Sequence, residues 1–258
     1  MKHELRQGFR ALAVWSLCIG LFIVVCVCMF PQMRGEMEGV TRLFASMGAF
    51  TAAFGMDRLN FGTLIGFYAV ECGTILGLGG AFFAALTAVN TLCREEREHT
   101  AEFLLTHPVG RARIVAEKLA GVLLQVLALN AVVFLLSAVS IRAVGEEIPW
   151  RELGLLHLAY LLLQVELTGV CFGISAFLRR GGPGIGIGIA AAAYALNLIA
   201  NISRDARFLK HFTPFAFAEG ADIIANGRLD ATLLVPGMLC AAAGIGIAFW
   251  RYLQKDIA

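Results

Sequence analysis

Glu71, Gln125, Asn130, His157, Gln164 and Glu166 interrupt long apolar stretches of the sequence. Carboxylates and an imidazole are the groups that hold and move protons. Placed in an apolar medium they are costly to keep, so they count as functional candidates by default. Their ordinary alternative is a buried hydrogen bond between helices, or a carboxyl kept protonated. Glu71, Glu166, Gln164, Gln125 and Asn130 are therefore candidates for lining a polar pathway. Phosphate-loop, GxSxG and HExxH patterns are absent, so the usual carriers of nucleotide binding, serine hydrolysis and zinc hydrolysis are missing. His99 and His107 have no partners at metal-ligand spacing. The seven cysteines lie in or at the ends of apolar runs without a CxxC pair. Neither disulfide nor metal is expected, and no residue is assigned a catalytic role.

A second concentration of chemistry lies at 94–118, REEREHTAEFLLTHPVGRARIVAEK. Arg94, Glu95, Glu96, Arg97, Glu98 and Glu102 are followed by an apolar patch of Ala101, Phe103, Leu104 and Leu105. Pro108 then breaks the helix, and Arg111, Arg113 and Lys118 precede the next apolar run. Each charge at the centre of a bilayer would cost about 2.5 to 3.5 kcal/mol. The segment must therefore lie along a membrane surface. It reads either as a short docking helix or as an ordinary solvated loop.

The elements that position these groups follow from composition. The chain is 59% hydrophobic and 16% charged, with mean hydropathy +0.76, against about 25% charged residues in soluble domains. It is an integral membrane protein, and a net charge of +2 gives no reason to expect a nucleic-acid partner. Apolar runs predict spans at about 11–30, 64–92, 114–141, 153–178, 184–202 and 231–250, each long enough to cross about 30 Å of hydrocarbon. The first run lacks a small-residue cleavage site and reads as a retained helix. Val40, Leu43, Phe44, Met47 and Phe54 recur at helical spacing. They predict an amphipathic external helix or a packed external cap. Glycines 73 and 77, and 182, 184, 186 and 188, predict close helix packing. The expected fold is all-α: one polytopic domain over 1–258 with six transmembrane helices and a surface helix between the second and third.

Six spans place both ends on one side. Twelve of the 21 lysines and arginines fall on the side of the termini, in short segments close to helix ends. The positive-inside tendency then makes both termini and the 94–118 segment cytoplasmic, in the cell membrane.

On the residues of that segment the sequence resembles the membrane subunits of ABC transporters of the ABC-2 type. Glu95 or Glu96, Thr100, Leu104-Leu105, Pro108-Val109, Arg111 and Lys118 match the family's pattern. His99 stands where a glycine is usual, and Gly110 where Ser or Thr is usual. The six spans, the large first external loop, Thr213-Pro214-Phe215 and the ending with Arg251 and Lys255-Asp256-Ile257 extend the likeness over the whole chain.

The resemblance implies a permease, by family habit an exporter. It would pair with an identical or homologous second permease and dock on cytoplasmic ABC ATPase subunits. ATP and magnesium would bind to those partners, with no cofactor on this chain. Glu95, Glu96, Glu98, Thr100, Phe103, Leu104, Leu105, Pro108, Arg111 and Lys118 would form the coupling contact. The rival readings are a membrane-embedded enzyme using Glu71, Glu166 or His157, which needs those groups to converge, and a membrane anchor for a cytoplasmic partner.

Overall fold

The computed structural model describes residues 2–36, 48–94, 110–178, 181–203 and 205–254. Six of its helices are long and apolar enough to cross a membrane: α1 (Lys2–Met33), α3 (Leu64–Val89), α4 (Arg111–Ala143), α5 (Trp150–Ser175), α6 (Pro183–Ile202) and α8 (Ala231–Gln254). Two short helices, α2 (Ala49–Ala53) and α7 (Gly220–Asn226), lie in the connections. The chain is an all-helical, multi-pass membrane protein.

Local chemistry sets the helix ends. Thr63 caps α3 by accepting a hydrogen bond from the Gly66 N–H, satisfying a donor that the first turn leaves open. Pro183 opens α6, where its missing N–H costs nothing. Gly227 ends α7 in the left-handed conformation at φ 61°. The α1, α4 and α8 helices overrun their predicted spans because polar residues continue a helix beyond the hydrocarbon edge, while α3 and α5 end three residues short of theirs, at Val89 and Ser175. The 33 residues of α4 reach about 50 Å. Its first two turns, Arg111 to Lys118, lie at the end of the bundle that carries both termini, with Ile114, Val115 and Lys118 buried.

The α3 and α5 helices form the centre of the bundle. The α5 helix packs most extensively on α3 and α8, α1 packs on α4 and α3, and α6 packs on α3. Tyr68, Leu76 and Phe83 of α3 are fully buried with Leu156, Leu163 and Phe172 of α5. By contrast, α8 buries only Ala241, Ala248 and Tyr252. Its outer face, with Val235, Leu239, Ile247 and Trp250 exposed, is apolar as lipid contact requires.

Glycines shape two kinds of helix contact. Toward α8, the contact is backbone against backbone. A Cβ added to Gly169 would come within 2.7 Å of the Ala241 carbonyl oxygen, and one on Gly173 within 2.7 Å of the Gly244 carbonyl oxygen. The paired positions advance together, so α5 and α8 run in the same direction. Toward α3, glycines instead form notches for side chains: a Cβ on Gly73 would meet the Tyr160 hydroxyl at 2.2 Å, and one on Gly80 the Gln164 Nε2 at 2.0 Å. On α6 the outcome is narrower than the glycine spacing predicts. Gly186 backs onto Ala85 of α3, while a Cβ on Gly182, Gly184 or Gly188 would meet nothing within 4 Å.

At the end opposite the termini, the described parts of the first and last long connections close over the bundle as a cap. Asn201 of α6 donates to the Ala53 carbonyl at 3.2 Å, and Thr213 donates to the Ala193 carbonyl at 2.7 Å. Ala53, Leu59, Phe61, Phe215 and Phe217 are buried beneath it. Of the predicted amphipathic set, Phe54 belongs to this cap, and Val40, Leu43, Phe44 and Met47 lie outside the described residues.

Candidate functional site

Three groupings of polar side chains interrupt the apolar packing: a seam inside the bundle, an ion-pair cluster in the cap, and the helix ends that flank residues 95–109.

The seam follows the face of α5 that meets α3 and α4. His157, Tyr160, Gln164 and Thr168 recur at three- and four-residue steps, which puts them in one line along the helix. Asn130 of α4 donates through Nδ2 both to the Val126 carbonyl, at 2.9 Å, and to Gln164 Oε1, at 2.7 Å. Asn130 Oδ1 and Gln164 Nε2 have no partner among the described residues. Closer to the cap, the Tyr68 hydroxyl lies 2.7 Å from Ser137 Oγ and 2.8 Å from His157 Nε2. Ser137 already donates to the Val133 carbonyl at 2.8 Å. One assignment satisfies the whole set: Tyr68 donates to Ser137, and His157 donates its Nε2–H to Tyr68. The His157 Nδ1 is then an acceptor without a partner among the described residues, beside the edge-on ring of Phe134 at 5.0 Å.

Of the candidate pathway residues, Asn130 and Gln164 are brought together. The others lie at separate interfaces. Gln125 of α4 faces Gly8 of α1, where an added Cβ would meet its Oε1 at 2.1 Å. Glu166 fits against Gly237 of α8 in the same way, its Oε2 at 2.1 Å from the added atom, next to Pro236 within that helix. Glu71 is half-buried and shares a shallow apolar pocket with Phe22 and Ile75. Glu71, Glu166 and His157 are thus placed at three different helix contacts.

The cap cluster joins the connection before α3 to the one before α8. Arg58 donates to both Glu219 and Asp222, and Lys210 Nζ lies 3.4 Å from Glu219 Oε2 and 3.8 Å from Asp222 Oδ2. Glu219 is 9% exposed. Burial pushes its carboxyl above the ordinary carboxylate range, and Lys210 and Arg58 offset that only in part. Desolvation thus outweighs the two cations, as is common for buried ion pairs. Its ion-pair partners are up to 161 residues away, so no local pattern announces the cluster.

Most of the predicted docking residues, Glu95, Glu96, Glu98, Thr100, Phe103, Leu104, Leu105 and Pro108, lie outside the described residues. The flanks are described. Arg94, at one edge, donates to Gln7 of α1 at 2.7 Å. Arg111, at the other, lies with its Nη1 3.4 Å from the Leu253 carbonyl of α8. Lys118 is 3% exposed, and its Nζ donates to the Thr91 carbonyl at 2.9 Å. The cations around the segment therefore reach α1, α8 and the end of α3. Lys118 in particular is a buried strut between α4 and the end of α3.

No group of three or more His, Cys, Asp or Glu side chains suited to a metal occurs among the described residues. The family model described as "ABC-2 family transporter protein" matches residues 1–257. A comparison with curated proteins finds no match.

Proposed function

The chain belongs to the ABC-2 transporter family, and from that membership we propose that it is the membrane subunit that converts a partner ATPase's work into movement of a substrate. It is a permease of an ABC transporter. Coupling, direction and assembly are the proposed part. In this reading residues 95–105 dock on a cytoplasmic ABC ATPase that binds ATP and magnesium. A second permease completes the membrane core, and transport runs outward across the cell membrane with both termini cytoplasmic.

The observation that carries the reading is the family match over 1–257, supported by the anchoring around the charged segment. Arg94, Arg111 and Lys118 reach α1, α8 and the end of α3. A rigid displacement of the intervening segment is thereby delivered to several spans at once. The seam of Asn130, Gln164, Tyr68 and His157 would supply polar contacts that can rearrange in the bundle's interior.

Purification of the tagged chain from its own membranes tests the assembly. The expected complex contains a nucleotide-hydrolysing subunit and two permease chains. A monodisperse preparation of this chain without any ATPase contradicts the reading. Single cysteines replacing Arg180 and Ser203, in a cysteine-free background, are expected to react with an impermeant reagent from opposite sides. Reaction of both from one side contradicts the orientation.

A further inference from the structure

A cleft of about 60 Å³ lies beneath the cap, between α3, α5 and α6. One water needs roughly 10 to 15 Å³ of such space, so the cleft has room for about four to six water-sized groups. Four aromatic side chains line it, Phe54, Tyr160, Tyr194 and Phe215, the last two packed edge to face at 5.1 Å. Glu219 is the charged residue in its wall. Arg58 and Lys210 hold that carboxylate without themselves lining the cleft. Asn197 also lines it. That side chain is 7% exposed, and its Oδ1 has no hydrogen-bond partner among the described residues.

Aromatic rings, a carboxylate and an unpartnered amide oxygen share one preference. Ring faces carry negative potential and attract cations, most strongly where water is excluded. The carboxylate adds charge of the same sign, and the amide oxygen accepts an N–H or the polarised edge of an N-methyl group. The surroundings are therefore complementary to a small cation of the ammonium type. The Lys210 contacts to Glu219 and Asp222, at 3.4 and 3.8 Å, are long for an ion pair. An incoming cation thus has an acceptor to share.

We propose that this cleft is a binding site for an ammonium group, primary or methylated, held by the rings of Phe54, Tyr160, Tyr194 and Phe215 with Glu219 as counter-charge and Asn197 as acceptor. Its use as a cargo subsite rests on the transporter reading; binding itself does not. When the site is empty, Arg58 and Lys210 satisfy Glu219, and Arg58 joins the two connections of the cap. An occupying ammonium competes with Lys210 for Glu219 Oε2, while Arg58 keeps its contacts to Glu219 Oε1 and Asp222.

The test is isothermal titration of the purified full chain in detergent with tetramethylammonium chloride, at constant ionic strength. Neopentyl alcohol serves as a neutral probe of similar shape. Saturable binding of the cation, with neopentyl alcohol about tenfold weaker or worse, is expected from a site that reads charge. Glu219→Gln and Tyr194→Leu are each expected to weaken binding by about tenfold. If Glu219→Gln disturbs the cap, Tyr194→Leu decides, because it keeps apolar bulk and removes the ring face. No saturable binding, equal affinity for the neutral probe, or unchanged affinity in Tyr194→Leu overturns the proposal, leaving ATPase association untouched. Repeating the titration in phosphatidylcholine and phosphatidylglycerol nanodiscs identifies the source of the ammonium. Weaker binding in phosphatidylcholine points to a lipid headgroup as the natural occupant, and equal binding to a free cation; both results support the site.

Discussion

On its α3 side, α5 presents polar side chains that sit in glycine notches; on its α8 side it presents bare backbone. Gly73 and Gly80 face the flexible ends of Tyr160 and Gln164, whereas Gly169, Gly173 and Gly244 face main-chain atoms. The same residue type does different work in the two places. A seated side chain can leave its notch by changing rotamer, at a cost of order 1 kcal/mol when it is forced off its minimum. Two backbones in contact separate only if a whole helix moves. The α5–α8 pair is therefore a single rigid body, with Glu166 against Gly237 as its one side-chain notch, and the α3–α5 seam is where the bundle can rearrange.

Substitution of the glycines breaks or sharpens this contrast. Gly244→Leu, on the hard face, is expected to have the largest effect, about 3 kcal/mol or more, because no flexible atom is there to yield. Denaturant titration in detergent reads this as loss of the cooperative folded state. Gly80→Ala, on the soft face, is expected to cost about 1 to 2 kcal/mol, and much of that should vanish in a Gln164→Ala background. A double-mutant cycle measures the coupling, and strict additivity would show that Gln164 does not fill that notch. Asn130→Ala removes the Gln164 contact together with the bond to the Val126 carbonyl within α4, and should cost about 0.6 to 1.7 kcal/mol, the range for hydrogen bonds between membrane helices.

The smallest effect lies in the cap. Burial raises the Glu219 carboxyl above its ordinary value, so the folded chain keeps that proton to higher pH than the unfolded chain. Wherever the native state binds more protons, stability falls as pH rises. The Glu219 contribution is thus fully present below the ordinary carboxyl range and is lost as pH climbs through the raised native value. Glu219→Gln should flatten that part of the stability–pH profile, and an unchanged slope would place the titration elsewhere.

Hydropathy made the six spans legible because hydrocarbon tolerates few charges and demands about 20 apolar residues each time. It could not locate helix ends, since polar residues such as those of Arg111 to Lys118 extend α4 without a break. Gly169 and Gly173 carry a readable four-residue spacing, yet the packing expectation rests on Gly73 and Gly77, which do meet Tyr160, and on the run at 182–188, where only Gly186 meets another helix. The difference lies in the partner: Gly244 approaches Gly173, and nothing approaches Gly184. Arg58 with Glu219, and Tyr68 with His157, join residues 161 and 89 positions apart. Such pairs depend on tertiary packing and leave no local periodicity to read. Lys118 was legible as a charge at the edge of a span, but its burial against Thr91 was not.

Coupling through residues 95–105 is tested most directly by changing Phe103 and Leu104 together to Ala and measuring affinity for the partner ATPase in detergent. Burial of each side chain in an apolar groove contributes about 1.5 to 3 kcal/mol, whereas an exposed ion pair contributes about 0 to 1 kcal/mol. The double variant is expected to insert normally and to bind its ATPase at least about a hundredfold more weakly, with Glu98→Gln changing affinity little. A double variant that holds its ATPase with unchanged affinity and transports normally would show that this segment is a solvated loop and that coupling runs elsewhere.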